Sequence, residues 1–166
     1  ASLEAAANAA RKAGIEPIML GDSLEGEARD IAVEHAALAL KVSVESSSAN
    51  KPIVILSGGE LTVTMNGDGR GGPNGEYMLA MAHALNGAPG IHAIACDTDG
   101  IDGSEDNAGA HISPDTLIRA ATAGLDIASH LKNNDSYGFF IGINDLIMSG
   151  PTYTNVNDFR ALLVLS

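Results

Sequence analysis

The chain has 166 residues, 45% of them apolar, with no Trp and three each of Phe and Tyr, which suits one domain with an aliphatic core. A formal net charge of −12 argues against nucleic acid and against an anionic membrane surface as partners, because both require clustered Lys and Arg. No apolar stretch approaches the roughly 20 residues that span a bilayer, no secretory leader pattern precedes Leu3, and the lone Cys96 gives no disulfide framework, so a reducing cytoplasm is the expected home.

Leu3 to Ala13 is Ala-rich, closes on Arg11 and Lys12 and meets Gly14, a helix with its stop signal. Because the chain opens inside a helix with no strand before it, we expect a piece of a longer protein. Glu16 to Leu20 reads as a short strand that ends in the turn Gly21-Asp22-Ser23. From Glu25 to about Val44 a long helix is expected, since Ala28, Ile31, Ala32, His35, Leu38 and Val42 recur at helical spacing. Pro52 opens a strand over Ile53 to Leu56. Leu61 to Met65 alternates so close behind it that no crossover helix fits, which predicts an antiparallel pair and a mixed sheet. Pro73 begins a helix reaching Leu85, and Ile91 to Cys96 is a central strand. Helices over Asp115 to Ala123 and Ser136 to Ile143, then strands over Asp145 to Met148 and Ala161 to Leu165, complete the pattern. The alternation predicts a single α/β domain over residues 1–166, a three-layer α/β/α fold with a mixed, mostly parallel sheet; residues 1–50 form its leading helix-strand-helix segment.

Two glycine-rich polar loops follow apolar strands directly. One reads Ser57-Gly58-Gly59-Glu60 and continues to Gly69-Arg70-Gly71-Gly72-Pro73-Asn74; the other reads Asp97-Thr98-Asp99-Gly100-Ile101-Asp102-Gly103. Open α/β sheets place ligands outside the carboxyl ends of their strands, glycine lets backbone N–H groups converge on an anion, and paired aspartates are hard oxygen ligands suited to magnesium. Together they point to phosphate chemistry. Gly67 to Gly72 also fits the G-x-G-x-x-G pattern of dinucleotide folds, although its strand reads as a hairpin partner and not as part of a parallel βαβ unit. The same loop reads more readily as an anion site on the helix starting at Pro73, with a flexible turn carrying a solvated Arg70 as the alternative. Asp97, Asp99 and Asp102 are either a cluster binding magnesium or hydroxyl groups, or turn formers. Glu105 and Asp106 read as solvated. Asn134-Asp135-Ser136 has the form of a helix N-cap, and Thr152 to Asp158 is a polar loop able to bind substrate or to satisfy its own backbone.

These blocks in this order, with Gly150-Pro151-Thr152 and Thr154-Asn155-Val156-Asn157-Asp158, resemble the MOFRL domain, the carboxyl-terminal domain of the bacterial and animal type of glycerate kinase, often labelled hydroxypyruvate reductase. Leu24 to Arg29 resembles the segment just ahead of that domain. Leu61 stands where the family usually has Thr, and Gly75 where it usually has Gln. The resemblance implies phosphorylation of D-glycerate by ATP with Mg2+, in a cleft shared with a larger amino-terminal domain that supplies an essential lysine. It also implies that this piece alone is inactive. Arg70, Asp97 and Asp99 would then be catalytic, with Asp97 and Asp99 holding the magnesium. Ser57, Gly58, Gly59, Glu60, Gly71, Gly72, Asn74, Asp102, Asn134, Thr154 and Asn155 would bind substrate or nucleotide. A homodimer is compatible with this reading. Its rivals are hydride transfer from NAD(P)H to hydroxypyruvate and a non-catalytic binding module. On either kinase or reductase reading, both glycine loops leave one sheet edge, so Arg70, Asp97 and Asp99 are expected around one cleft.

Overall fold

The computed structural model describes residues 2–154 and 157–165. In chain order its elements are α1 (Ser2–Lys12), β1 (Glu16–Met19), β2 (Gly26–Glu27), α2 (Ala28–Ser46), β3 (Ile53–Gly58), β4 (Leu61–Thr62), α3 (Pro73–Leu85), β5 (Ile91–Asp97), β6 (Gly109–Ile112), α4 (Thr116–Thr122), α5 (Ile127–Lys132), α6 (Ser136–Gly142), β7 (Leu146–Ile147) and β8 (Asp158–Val164). Six strands form the main sheet in the order β1-β3-β8-β5-β6-β7. The sheet is mixed, as expected, and β1, β3, β5 and β7 run one way. Its ladders are another matter. Only β1–β3 is parallel, because the reversed β8 lies between β3 and β5 and the reversed β6 between β5 and β7.

The period-2 pattern sorts the sheet into two faces. Ile55, Ile91, Ala93, Ala95, Leu162 and Val164 face the main core with α2, α3 and the buried Phe139 and Phe140 of α6. Each of the Ile, Leu, Val and Phe side chains among them contributes about 1.5–3 kcal/mol by leaving water. Val54 and Leu56 face the other way, where Leu3 and Ala7 of α1 cover them. Among the described residues α1 is the whole of that third layer. Beside it, His92, Ile94, His111, Ala161 and Leu163 line an open groove of about 360 Å³.

α3 is the central helix. Pro73 fills its first turn, and it ends at Asn86, whose left-handed backbone (φ 48°) returns an N–H to Ala82 O. Residues Asn74 to Ala82 are buried without interruption, so α3 is a core element with helices on both flanks. α2 packs on it through Ala28, Ala32, Ala36 and Ala39.

The expected hairpin of Ile53–Leu56 with Leu61–Met65 does not form. β4 pairs in parallel with β2 in a separate two-stranded sheet, with Gly26 opposite Leu61 and Glu27 opposite Thr62. Glu27 secures this pairing: its carboxylate accepts from Thr62 Oγ1, Thr64 N and Thr64 Oγ1 at 3.2, 3.1 and 2.7 Å. The chain turns out of β3 at Gly59, whose φ of 107° suits glycine and where a Cβ would lie 2.3 Å from the Leu24 backbone.

Candidate functional site

Register brings the first polar groups together. Asp97, the last residue of β5, is opposite Asp158, the first of β8, and Ser57 of β3 is opposite Arg160. All four share the parity of the main core face, beneath the amino end of α3. Asp158 is 7% exposed and Arg160 0%. The Arg160 guanidinium donates from Nε to Ser57 Oγ (3.2 Å) and from Nη2 to Gly59 O (3.1 Å), with Nη1 3.7 Å from Asp158 Oδ2. Its carbon centre lies 5.5 Å from the centroid of the Tyr77 ring. Arg160 therefore ties the glycine turn after β3 to the carboxylate pair on β8 and β5.

The carboxylates at this edge are unusually basic. Burial lifts Asp97 to about 6, with repulsion from Asp158 adding to it against the pull of the Asp99 N–H. Burial likewise raises Asp158, opposed by Asn74 and Arg160. Asp102 reaches about 6 for the same first reason, although the N–H groups of Asn74 and Gly75 pull it down.

Asp102 caps a helix. Its oxygens accept from Asn74 N (2.9 Å), Asn74 Nδ2 (3.3 Å) and Gly75 N (2.8 Å), so the positive end of α3 already holds an internal anion. The expected anion site on that helix is thus filled by the protein itself. Gly71 and Gly72 serve the close approach this requires: a Cβ on Gly72 would lie 2.4 Å from Asp102 O, and one on Gly71 1.9 Å from Ser136 Oγ. Gly75 also has a structural reason, since a Cβ there would sit 2.5 Å from Ser136 Oγ.

Other sequence-predicted residues are placed as follows. Asp99 takes part in turn chemistry, its N–H on Asp97 Oδ1 (3.1 Å) and its Oδ1 accepting from Ile101 N (2.8 Å). Arg70 forms no hydrogen bond or ion pair with Asp97 or Asp99 among the described residues. It is held at the far end of their loop, donating to Glu105 Oε2 from Nε and Nη2 at 3.1 and 2.7 Å and lying 4.3 Å from the Tyr137 ring centroid. Glu105, read from sequence as solvated, is therefore Arg70's anchor, and Asp106 accepts from Tyr137 Oη at 2.9 Å. Asn134 is a buried staple: Oδ1 accepts from Asn66 N (2.7 Å) and Gly67 N (3.1 Å), while Nδ2 donates to the Glu76 carboxylate (3.1 and 3.2 Å). Asp135 caps α6 through Gly138 N and also accepts from Arg70 N (3.1 Å). The N–H of Gly58 is already bonded to Gly21 O (2.9 Å). Thr154 is exposed and its hydroxyl lies 3.0 Å from that of Thr152, which in turn donates to Thr98 O. Asn155 lies outside the described residues.

Glu60 opens on a second feature. With Asp22, Ser23, Leu24, Glu25, Gly59 and Asn157 it lines a polar pocket of about 320 Å³ at the same sheet edge. Sequence reading assigned no site role to Asp22, Ser23 or Arg160. For Arg160 a signal existed: Asp158 and Arg160 alternate into the apolar run of β8 on the parity of Leu162 and Val164.

For magnesium, no group of three or more His, Cys, Asp or Glu with ligand geometry occurs among the described residues. The in-register Asp97–Asp158 pair nevertheless fits a magnesium ion, which usually takes one or two carboxylates and completes its shell with water and phosphate oxygens. Asp97, half-buried, and Asp158, buried, both have raised pKa values, burial being the first cause in each, and such a pair is a donor set a cation relieves.

The MOFRL family model matches residues 53–158. A protein of Agrobacterium vitis that bears the provisional name hydroxypyruvate reductase is 53% identical over 98% of this chain, and the chain spans 38% of its length. The glycerate 2-kinase of Pyrococcus horikoshii is 33% identical over 99% of the chain, again 38% of that protein. The crystal structure of a glycerate kinase from Thermotoga maritima superposes with a TM-score of 0.93 at 34% identity, covering 98% of this chain and 39% of the other. With a matching family model over most of its length and relatives at these identities, the chain belongs to the MOFRL family.

Proposed function

We propose that this chain forms one wall of a glycerate kinase site, at which ATP phosphorylates D-glycerate with magnesium in a cleft completed by an amino-terminal domain. The supporting observation is the register that sets Asp97 against Asp158 at the edge where the glycine turn of β3 and the polar pocket of Asp22, Ser23 and Glu60 also open. The names of the relatives supply the reaction class.

In this reading Asp97 and Asp158 hold the magnesium, Asp99 contributes at most its uncommitted oxygen, and the ion's chemistry is neutralisation of phosphate charge. Arg160 fixes Ser57 and Gly59 and favours the ionised form of Asp158 against its burial, without touching ligand. Glu60, Ser23 and Asp22 offer acceptors and a hydroxyl donor for substrate hydroxyl groups, while Thr154 and Asn155 remain assigned to substrate by the family resemblance alone. Arg70, aimed by Glu105 and stacked on Tyr137, is the exposed cation of this wall and balances charge on the transferring group. Asp102, Asn74, Asn134, Gly71 and Gly72 act at one remove, by shaping the loops. Hydride transfer is less well supported: the Gly67–Gly72 loop follows the two-residue β4, which lies outside the main sheet, and the helix end that would take a pyrophosphate holds Asp102 instead.

The test is a paired assay on the full-length gene product, following ADP formation with glycerate and NAD(P)H oxidation with hydroxypyruvate. Glycerate-dependent ADP formation is expected, with a loss on the order of 100- to 1000-fold in Arg70→Ala and no turnover by residues 1–166 alone. Hydroxypyruvate-dependent NAD(P)H oxidation without kinase activity overturns the proposal.

A further inference from the structure

α2 is turned inside out for a surface helix. It buries Ala28, Ala32, Ala36 and Ala39, yet leaves Val33 54% exposed, Leu40 39% and Val44 76%. The alanines are explained by close packing on α3. The outward aliphatic side chains have no such partner. Val33, Ala37, Leu40 and Val44 are all exposed and succeed one another at four, three and four residues, the spacing of a single heptad seam about three turns long. On one flank, at equivalent heptad positions, stand Glu34 and Lys41, both exposed and neither ion-paired among the described residues.

Such a seam complements itself. We propose that α2 is a dimerisation helix, across which a second copy of this chain packs its own α2 antiparallel about a two-fold axis. Between Ala37 and Leu40 lies the midpoint of the seam, so the axis there brings Val33 of one copy to Val44 of the other and the small Ala37 to the large Leu40. The same rotation carries Glu34 to the side of Lys41 of the second copy, twice by symmetry. A parallel pair leaves both charges without an opposite partner, since the matching flank carries Ala36 and Ser43. Charge and size complementarity together select the antiparallel arrangement. This inference is independent of the phosphoryl-transfer reading. A single helix pair falls short of the roughly 1,600 Å² of a standard interface, so a weak dimer is expected, with a Kd on the order of 10 μM.

Sedimentation equilibrium of this chain from about 1 to 500 μM, with circular-dichroism melts to confirm folding, tests the proposal. The parent should dimerise. Ala37→Glu, at an exposed position where no packing is lost, should leave a folded monomer. Glu34→Lys and Lys41→Glu should each weaken association roughly tenfold, and the double exchange should restore it to within about twofold. Three results overturn the proposal: a monomer across the whole range, the result expected if another part of the longer relatives' chain seats on α2; a dimer indifferent to Ala37→Glu; or single exchanges whose losses the double does not recover.

Discussion

Arg160→Met is the most informative single change. The methionine keeps most of the side-chain volume, so cavity formation is small, but the guanidinium's bonds to Ser57 Oγ and Gly59 O are lost and Asp158 is left without its cation. Asp158 is 7% exposed and already held above the usual carboxylate range by burial beside Asp97, so solvent cannot replace what is removed. Breaking a buried pair from one side costs about 3–5 kcal/mol, a large share of the roughly 5–15 kcal/mol that holds a domain folded. At about 2–4 °C per kcal/mol for a chain of this size, the melting temperature should fall on the order of 10 °C. Because the cost arises from the stranded carboxylate, Asp158→Asn in the Arg160→Met background should recover about 1–3 kcal/mol relative to additivity. Urea unfolding followed by circular dichroism, on all four members of the cycle, measures this. A single mutant within about 1 kcal/mol of the parent and an additive double would falsify the assigned role of Arg160.

Three further changes test the supports of the site. Asp102→Asn replaces an acceptor-only cap by an amide whose NH₂ confronts the N–H of Asn74 or Gly75; an unsatisfied buried donor costs about 1–3 kcal/mol, and a thermal melt at pH 7 unchanged from the parent would remove Asp102 from the α3 cap. Gly75→Gln, the residue usual in the family, should destabilise by about 1–3 kcal/mol because its Cβ meets Ser136 Oγ at 2.5 Å; Ser136→Ala should relieve most of it, and a Gly75→Gln protein as stable as the parent contradicts the steric argument. His35 accepts from or donates to Tyr77 Oη at 2.7 Å, and burial, then Arg160, depresses its pKa from 6.5 to about 4. The unfolded chain therefore binds the extra proton between pH 6.5 and 4, and the His35 contribution to stability, complete above pH 6.5, is lost as pH falls through that window. Asp97 and Asp102, raised to about 6, act with the opposite sign, so the diagnostic quantity is the melting temperature of the parent minus that of His35→Asn, which should decline from pH 6.5 to 4; a constant difference rejects the titration.

Local signals located the pieces of this fold better than their partners. Pro73 marks the start of α3, which ends at Leu85 as expected, and the run Ile91–Cys96 marks β5. β6, Gly-Ala-His-Ile, carries little strand propensity and exists because it closes on β5 and β7. β4 lies only two residues beyond β3 yet pairs with β2, since the turn at Gly59 and the carboxylate of Glu27 decide its partner. The same distinction runs through the site. Its composition of Gly, Asp and Asn is legible in the loops, whereas the roles depend on contacts far apart in the chain: Asp102 caps a helix that begins at Pro73, Glu105 anchors Arg70, and Arg160 reaches back to Ser57 and Gly59.

Those long-range contacts give the acidic edge its physical coherence. Three carboxylates with raised pKa values at one end of a sheet oppose folding at neutral pH, so the surrounding structure must hold them in place. It does so from several sides. Asp102 N donates to Asn107 O (2.6 Å) and Asp97 N to Ala108 O (2.8 Å), closing the loop on itself, while Thr152 N on Asp99 O (3.0 Å) fastens it to the strand-β8 approach. Arg70 and Glu105 fasten its outer end, and Arg160 lies beneath its base. Of the three, Asp102 is held by the amino end of α3, whose N–H groups offset part of its burial. Asp97 has the Asp99 N–H, while Asp158 has Asn74 and one guanidinium, and burial still leaves both pKa values raised. A rigid frame around an under-neutralised pair is the arrangement that makes cation binding favourable without reorganisation, and it is the reason the carboxylate pair, more than the glycine loops, anchors the reading of this edge as a phosphoryl-transfer wall.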